Sequence, residues 1–291
     1  MASILTDRAM LVSLRISRWT ANKQDKTLSD KVADDNNADR DMITTRRRLV
    51  AKERLDVIRE IGARARHHHY ESTLPWLDDG ARILPASKYF DYMAQQNAFI
   101  AEFNDAADSF VVDYPAILAD AKLRLNGLFD AADYPSESEI RAKFDIRCNI
   151  VQIPSADDFR VSLGEAETER VRESIEQMLA EASNGAVLDV WHRVHERVAR
   201  MVDRLRSYGT DSNGKVVGAF RDSLVENIRE LCDLMPALNI TNNNALEDMR
   251  QRLLDDLCQI DAPTLREDST IREDIAKKAE TILADITSIM S

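Results

Sequence analysis

Helix-breaking residues are scarce in this chain, and that scarcity limits the folds it can adopt. Its 291 residues include 8 glycines and 7 prolines. Residues 28–70 and 165–208 each contain one glycine and no proline. Apolar residues recur from Val32 to Ile61 in the first segment, and at alternating spacings of three and four in the second. These patterns predict two long helical rods, the first about 60 Å in length. Residues 183–185, with the sequence Ser-Asn-Gly, are the expected break in the second rod.

The region after the second rod predicts a partner helix for it. Residues 209–214 are polar and include two glycines, so they are expected to turn the chain. Apolar positions from Phe220 to Leu234 then resume the helical period. We therefore expect long antiparallel helices that form an elongated helical bundle or a coiled-coil hairpin.

Helix boundaries are indicated by prolines and by capping patterns. Pro115 is expected at the first position of a helix, where its missing N–H costs nothing. Ser136 and Glu139 have the spacing of a reciprocal capping box. Thr264 and Glu267 have the same spacing, and they predict the start of the last helix.

Three short stretches alternate between apolar and polar residues, which is the period of a β-strand. They lie at residues 12–16, 144–150 and 159–163, and we expect the first two to pair in a small sheet. The predicted fold class is therefore mainly α with a small β-sheet, an α+β fold. We expect an N-terminal helical region with the strands, residues 1–164, and a C-terminal helical hairpin and bundle, residues 165–291, within one continuous fold.

Composition and charge indicate a soluble, cytoplasmic protein. Charged residues make up 31% of the chain, the formal net charge is -12, and no apolar run approaches the length of a membrane span. Asp7 stands where a secretory signal would carry lysines. Cys148, Cys232 and Cys258 are odd in number and far apart, so reduced thiols are expected rather than a disulfide framework.

One segment of this acidic chain is basic, and it is the candidate nucleic-acid site. A basic helix can follow a phosphate backbone because each neutralised phosphate releases counterions. The alternative is a solvated helix face that pairs internally with an acidic segment such as residues 105–120, and the net charge of the whole chain opposes close approach to DNA. The cations of this segment are Arg46, Arg47, Arg48, Lys52, Arg54, Arg59, Arg64 and Arg66.

Histidines provide two candidate metal sites, and neither is favoured. His67, His68 and His69 are adjacent, so on a helix they face different directions. Asp189, His192 and Glu196, at helical spacings of three and four, resemble half of a dimetal carboxylate site, but the chain has no Glu-x-x-His motif for the other half. The sequence therefore predicts no metal site and no cofactor.

Motifs of catalysis are missing from the sequence. There is no Gly-x-Ser-x-Gly nucleophile elbow and no Gly-Lys-Ser or Gly-Lys-Thr of a phosphate-binding loop. Abundant carboxylates on helix surfaces identify no acid–base pair. We predict no catalytic residues and a non-enzymatic protein.

Four strings resemble a family of uncharacterised proteins from bacteriophages and other mobile elements. Members of that family are often encoded near a MoxR-class AAA+ ATPase and a von Willebrand-type metal-binding protein, and some lie near recombination genes. The resemblance spans nearly the whole chain and implies genetic context, with no catalytic residues to carry over. The strings are ILTDRAMLV at 4–12, TLPWLDDG at 73–80, DFRV at 158–161 and FRDSL at 220–224.

These observations favour a phage or mobile-element protein that acts through protein–protein contacts in the host cytoplasm. Its partner is expected to be a second copy of the chain or an AAA+ ATPase, for which it would serve as an oligomeric scaffold or adaptor. Trp19, Trp76 and Trp191 are the candidate interface residues, because tryptophan is enriched among interface anchors. Nucleic-acid binding in recombination or replication, through the cations between Arg46 and Arg66, is the alternative.

Overall fold

The computed structural model of the chain describes residues 2–77, 80–156, 164–210 and 216–290. It is 71% helical and contains a small antiparallel sheet of 4 strands, so the predicted mainly α class with a small sheet is confirmed. The helices are α1 (Ala2–Arg8), α2 (Lys26–Asp35), α3 (Asp56–Ser72), α4 (Tyr89–Leu125), α5 (Glu137–Ala142), α6 (Glu165–Ser207), α7 (Ser223–Leu238), α8 (Asn244–Leu257), α9 (Ala262–Glu267) and α10 (Ser269–Met290). The strands are β1 (Ala9–Ser17), β2 (Asn22–Gln24), β3 (Arg46–Arg48), β4 (Leu74–Pro75), β5 (Arg82–Pro85), β6 (Asp145–Val151), β7 (Gly209–Thr210) and β8 (Val216–Val217).

The chain divides into two compact units, each assembled from separate stretches. Neither unit coincides with the regions 1–164 and 165–291 of the sequence analysis. The first unit comprises Met1–Ser13, Tyr70–Phe90 and Ile150–Ser291, and the second comprises Leu14–His69 and Asp91–Asn149. No helix in the described ranges is both long enough and apolar enough to cross a bilayer.

The main sheet has the strand order β4-β5-β1-β6. Ala9 to Val12 of β1 pair antiparallel with Pro85 to Arg82 of β5, and β6 lies on the other side of β1. The predicted pairing of residues 12–16 with residues 144–150 is therefore confirmed. The third predicted strand, at residues 159–163, lies outside the described residues.

Helix α6 organises the core of the first unit. It has 43 residues, or about 65 Å, and it packs along α7 and α10. The Tyr208 and Phe220 rings are 4.9 Å apart, while Arg197 near the middle of α6 donates to the carbonyl oxygen of Asn227. Because the contacts run in opposite directions along the two helices, α7 is antiparallel to α6 as predicted.

The predicted break at residues 183–185 is wrong. Helix α6 continues through it, because Ala182, Ser183 and Ala186 are buried in the first unit and their small side chains allow close packing. The Ser183 hydroxyl donates to the carbonyl oxygen of Leu179 at 2.8 Å, which satisfies it within the helix.

The predicted rod over residues 28–70 is also wrong. This stretch contains α2, the strand β3 and α3, separated by turns. Asp25 caps α2 by accepting from the backbone N–H of Leu28, and Asn37, with a φ of 51°, follows the end of the helix. The N–H of Asp25 then donates to the carbonyl oxygen of Thr45 and brings β3 beside β2. Hydrogen bonds from short polar side chains to the backbone therefore replace those of a continuous helix here.

Of two predicted helix starts, one differs from expectation and the other is confirmed. Pro115 lies inside α4 rather than at a first position, with Tyr114 and Ile117 buried beside it in the second unit. Their burial offsets the backbone hydrogen bond that proline cannot donate. The capping box of Ser136 and Glu139 is confirmed at the start of α5.

The C-terminal cap lies at other residues than predicted. Asp261 accepts from the N–H of Thr264 at 3.0 Å, so α9 begins before the predicted position. Asp268 accepts from the N–H groups of Thr270 and Ile271 and starts α10 as a separate helix. An aspartate carboxylate accepts from the first-turn N–H groups at least as well as a threonine hydroxyl does.

Candidate functional site

The β2–β3 hairpin sorts the arginines of the basic segment onto two faces. Lys23 pairs with Arg47 in the antiparallel register, and Asn22 pairs with Arg48. Alternate residues of a strand point to opposite sides, so Arg47 and Lys23 share one face. Arg46 and Arg48 lie on the other face and are exposed. The predicted helix from Arg46 to Arg66 is therefore wrong at Arg46–Arg48, which form β3, whereas its second half is helical because Arg59, Arg64 and Arg66 lie on α3.

The inner face of the hairpin is anchored by one carboxylate. Asp133 accepts from both Arg47 and Lys23, and its side chain is only 1% exposed. Arg47 also donates to the carbonyl oxygen of Leu128 and lies 3.6 Å from Asp25. These contacts neutralise Arg47 and fix the hairpin, so Arg47 is a structural cation.

The outer face adjoins two concave pockets that contain further cations. One pocket of about 310 Å³ is lined by Arg48, Lys52 and Arg124. The other, of about 210 Å³, is lined by Arg18 and Arg59 and also by Asn22, the strand partner of Arg48. The register of the hairpin therefore makes these cations neighbours. We name this set the basic surface, and it comprises Arg18, Arg46, Arg48, Lys52, Arg59 and Arg124.

Most of the basic surface lacks an internal counter-charge. Among the residues that the structure describes, no ion pair or hydrogen bond satisfies the side chains of Arg18, Arg46, Arg48 and Lys52. Arg59 and Arg124 form exposed pairs with acids on their own helices. The predicted internal pairing of this segment with residues 105–120 is not seen at these four cations.

The other predicted cations take different positions. Arg54 and Arg66 are exposed, in the turn before α3 and on α3. Arg64 pairs with Glu102 and lies 5.5 Å from the centre of the Phe99 ring. Arg64 is therefore engaged with α4 inside the second unit.

The three tryptophans have different environments. Trp19 is half-buried and packs edge-on against Phe110 and Tyr114, and it lines the same pocket as Arg18 and Arg59. Trp76 and Trp191 are 8% and 4% exposed and belong to the core of the first unit. The structure thus brings one candidate interface residue to the basic surface.

The three adjacent histidines point in different directions, as expected for a helix. His67 is exposed, while the His68 ring stacks on Tyr92 with centroids 5.5 Å apart. The Nδ1 atom of buried His69 lies 2.7 Å from the Tyr92 hydroxyl. Burial, together with the charge of His67, lowers the pKa of His68. His68 is therefore neutral at pH 7.

Tyr92 joins α3 and α4 to β6 in a buried polar cluster that the sequence did not reveal. Its hydroxyl also contacts Cys148 Sγ at 3.6 Å, and Gln96 donates to the carbonyl oxygen of Ala65. Burial raises the pKa of Tyr92 and of Cys148, so both groups stay protonated. A neutral, hydrogen-bonded cluster of this kind specifies how the three elements pack.

At the second candidate metal site, the aspartate is already paired with an arginine. Arg193 Nε donates to Asp189 at 2.7 Å, and His192 is exposed. Within the described part of the chain, no group of three or more His, Cys, Asp or Glu side chains is arranged to hold a metal ion. Arg193 also donates to the carbonyl oxygens of Tyr70, Glu71 and Thr73 at the end of α3. It serves there as a C-terminal cap.

Sequence reasoning missed two cations of the basic surface and one residue of the adjoining pocket. Arg18 and Asn22 precede the basic segment, and Arg124 lies at the far end of α4. Arg15 and Arg18 next to Trp19 were a local signal for the role of Arg18, but no sequence feature near Arg124 links it to Arg48.

Comparisons with protein-family models, curated proteins and solved structures found no match to this chain.

Proposed function

We propose that this protein binds nucleic acid through the basic surface of its second unit. The observation that carries the proposal is the set of exposed cations Arg18, Arg46, Arg48 and Lys52, which no described residue neutralises. Unpaired arginines can each donate two parallel hydrogen bonds to a phosphate. Phosphate neutralisation also releases condensed counterions, which adds affinity.

The spacing of the cations suits a repeating polyanion. Arg46 and Arg48 are two residues apart on one strand, so their Cα atoms are separated by about 6.7 Å. Successive phosphates of one strand of B-form DNA rise by about 3.4 Å along the helix axis and also turn around it, so the distance between them, roughly 7 Å, is similar. The strand therefore presents its arginines at a period that a nucleic-acid backbone can match.

The acidity of the whole chain resides mainly in the first unit. That unit contains 20 basic and 31 acidic residues, whereas the second contains 19 basic and 20 acidic residues. The net charge of -12 is thus the sum of -11 in the first unit and -1 in the second, so the unit that carries the basic surface is close to neutral.

A matched pair of charge reversals tests the proposal. The double variant Arg46→Glu and Arg48→Glu changes the basic surface, and Arg200→Glu with Arg204→Glu makes the same charge change at exposed positions of α6. Affinity for fluorescein-labelled DNA and RNA is measured by anisotropy over a series of salt concentrations. We expect log affinity to fall linearly with log salt, and the first variant to lose at least about tenfold while the control changes little.

Two results would remove the proposal. One is the absence of binding to either nucleic acid at low salt. The other is an equal loss in the two variants, because that loss would reflect net charge alone rather than the basic surface.

A second proposal is the protein-binding function favoured by the sequence. Val112 and Leu123 on α4 are 79% and 83% exposed, and a separation of eleven residues, about three helical turns, places them on the same side. This face could meet a second copy of the chain in a helical bundle or coiled coil, or an AAA+ ATPase. Under either proposal the protein is non-enzymatic, requires no cofactor and acts in the cytoplasm.

Self-association is tested by light scattering over a range of concentrations. Substitution of both Val112 and Leu123 by Glu should reduce a concentration-dependent mass to that of the monomer. A monomer mass for the unchanged protein at every concentration would exclude a second copy as the partner. The variant should leave nucleic-acid affinity unchanged if the two functions use different surfaces.

A further inference from the structure

The pocket that contains Trp19 combines an aromatic ring with cationic and amide groups. Its volume is about 210 Å³, and it is enclosed by the second unit alone. Arg18 and Arg59 supply guanidinium groups and Asn22 supplies a side-chain amide. The remaining lining residues are Trp19, Thr20, Leu55, Ile58 and Phe144. The pocket is thus apolar and aromatic, with polar groups that can fix the orientation of a ligand.

The indole ring of Trp19 is held in place by other aromatic rings. Its centroid lies 6.3 Å from that of Phe110 and 6.2 Å from that of Tyr114, and both contacts are edge-to-face. Phe110 and Tyr114 are buried on α4. Because the ring is already ordered, a ligand that stacks on it would lose little additional side-chain entropy.

The size and chemistry of the pocket match one planar heterocycle. Pockets for drug-sized ligands begin at about 300 Å³, so this smaller pocket suits a single ring system and not a base pair. A nucleobase has an aromatic face for the indole and polar edges for the Asn22 amide. The guanidinium of Arg18, which has no ion-pair or hydrogen-bond partner in the described part of the chain, can contact the adjoining phosphate.

We propose that this pocket receives an unpaired base of a single-stranded nucleic acid. The inference rests on the proposed function, because the basic surface must first hold the backbone. Arg48, whose strand partner Asn22 lines the pocket, continues the cationic path from the pocket onto the outer face of the hairpin. A duplex keeps its bases stacked and paired, so it can contact the cations but cannot fill the pocket.

The intrinsic fluorescence of Trp19 reports directly on occupation of the pocket. Trp76 and Trp191 are buried in the first unit, so the difference between the unchanged protein and the Trp19→Phe variant isolates the Trp19 signal. The full chain is titrated with a mixed-sequence single strand of about twenty nucleotides, as DNA and as RNA, and with the matching duplex. We expect the single strands to bind at least about tenfold more tightly than the duplex and to quench Trp19.

Two substitutions separate the pocket from the rest of the basic surface. Arg18→Gln should reduce single-strand affinity and the quenching of Trp19, whereas Arg15→Gln, at another exposed position, should do neither. Trp19→Ala should lower single-strand affinity by about tenfold or more, while Trp19→Phe should retain most of it because a ring remains. Circular dichroism confirms that each variant is folded.

The outcomes distinguish the inference from the function on which it rests. Equal affinity for single strand and duplex, with Trp19 unquenched, would overturn the base pocket and leave nucleic-acid binding intact. Absence of binding to all of the strands would overturn both. Tight binding of single strands by both the Trp19→Ala and the Arg18→Gln variants would likewise exclude the pocket.

Discussion

Arg47 and Asp133, 86 positions apart in the chain, form an ion pair on the inner face of the β2–β3 hairpin. The side chain of Asp133 is 1% exposed and that of Arg47 is 14% exposed. The pair holds the hairpin on the turn at Ala131–Asp133. Arg46 and Arg48 consequently remain on the outer face, where they are available to a ligand.

Asp133→Asn should destabilise the protein by about 3 kcal/mol. The substitution leaves the mostly buried Arg47 without its principal counter-charge, and burial of an uncompensated charge is costly. Urea denaturation followed by circular dichroism measures the change. Asp120→Asn is the control, because the Asp120–Arg124 pair is exposed and spans 3.8 Å, and it should cost less than about 1 kcal/mol. Equal effects of the two substitutions would contradict the anchoring role of Asp133.

Arg193→Lys should destabilise the first unit although it preserves the charge. The guanidinium of Arg193 contacts Asp189 and the carbonyl oxygens of Tyr70, Glu71 and Thr73, and an ammonium group cannot reach all of these acceptors. We expect a loss of about 2 kcal/mol, because these carbonyl oxygens lose hydrogen bonds from a charged donor.

Arg200→Lys on the same helix is the matched control for Arg193→Lys. Arg200 is exposed, and within the described residues it makes no ion pair. The control should unfold at the same denaturant concentration as the unchanged protein. A similar decrease in the unfolding midpoint of both variants would show that the planar guanidinium of Arg193 is unimportant for stability.

His68 should make the free energy of unfolding depend on pH. Burial lowers its folded-state pKa below the ordinary 6.5, so the unfolded chain takes up a proton first as pH falls. Stability should therefore decrease as pH falls from about 7.5 towards the lowered folded-state pKa. His68→Asn should reduce this pH dependence, as measured by denaturation at several pH values. The exposed neighbour gives the control His67→Asn, and an equal reduction there would refute the assignment.

The three cysteines should differ in reactivity towards a thiol reagent. Cys232 and Cys258 are 0% and 5% exposed, whereas Cys148 is partly exposed. Burial raises the pKa of Cys148, and a hydrogen bond to Cys258 together with burial raises that of Cys232, so thiolate is scarce at both. We expect slow labelling of Cys148 alone in the native protein, and labelling of all three cysteines in denaturant.

Mass spectrometry of the labelled protein identifies the modified thiols. Cys148→Ser should abolish native labelling and leave labelling of the other two thiols in denaturant. Rapid modification of Cys232 in the native state would show that the contact between α7 and α8 opens readily.

Local sequence patterns predicted the elements whose boundaries depend on nearby residues. The alternation around Val12 and around Ile146 predicted two neighbouring strands, and β1 and β6 are neighbours in the sheet. The Ser136–Glu139 box starts α5 as expected. Each of these features depends on side chains within a few positions of one another, and such interactions can be read from spacing.

The long rod over residues 28–70 shows where periodicity was misleading. Apolar spacing alone favoured one helix, but Asp25 begins the short helix α2 as its N-cap, and Asn37, with its positive φ, follows the end of that helix. Tertiary contacts then decided the outcome, since Arg47 pairs with Asp133 from a distant part of the chain. Propensity is a weak preference that packing overrides.

The sequence by itself determined the mainly helical class, the small sheet and the concentration of cations between Arg46 and Arg66. Only the tertiary structure decided which of those cations are neutralised and which have no counter-charge among the residues that the structure describes. It also placed Trp19 beside Arg59, although forty positions separate them in the chain. The physical reason is that periodicity reports which face of an element is buried, whereas a binding surface depends on which distant elements bury their faces against one another.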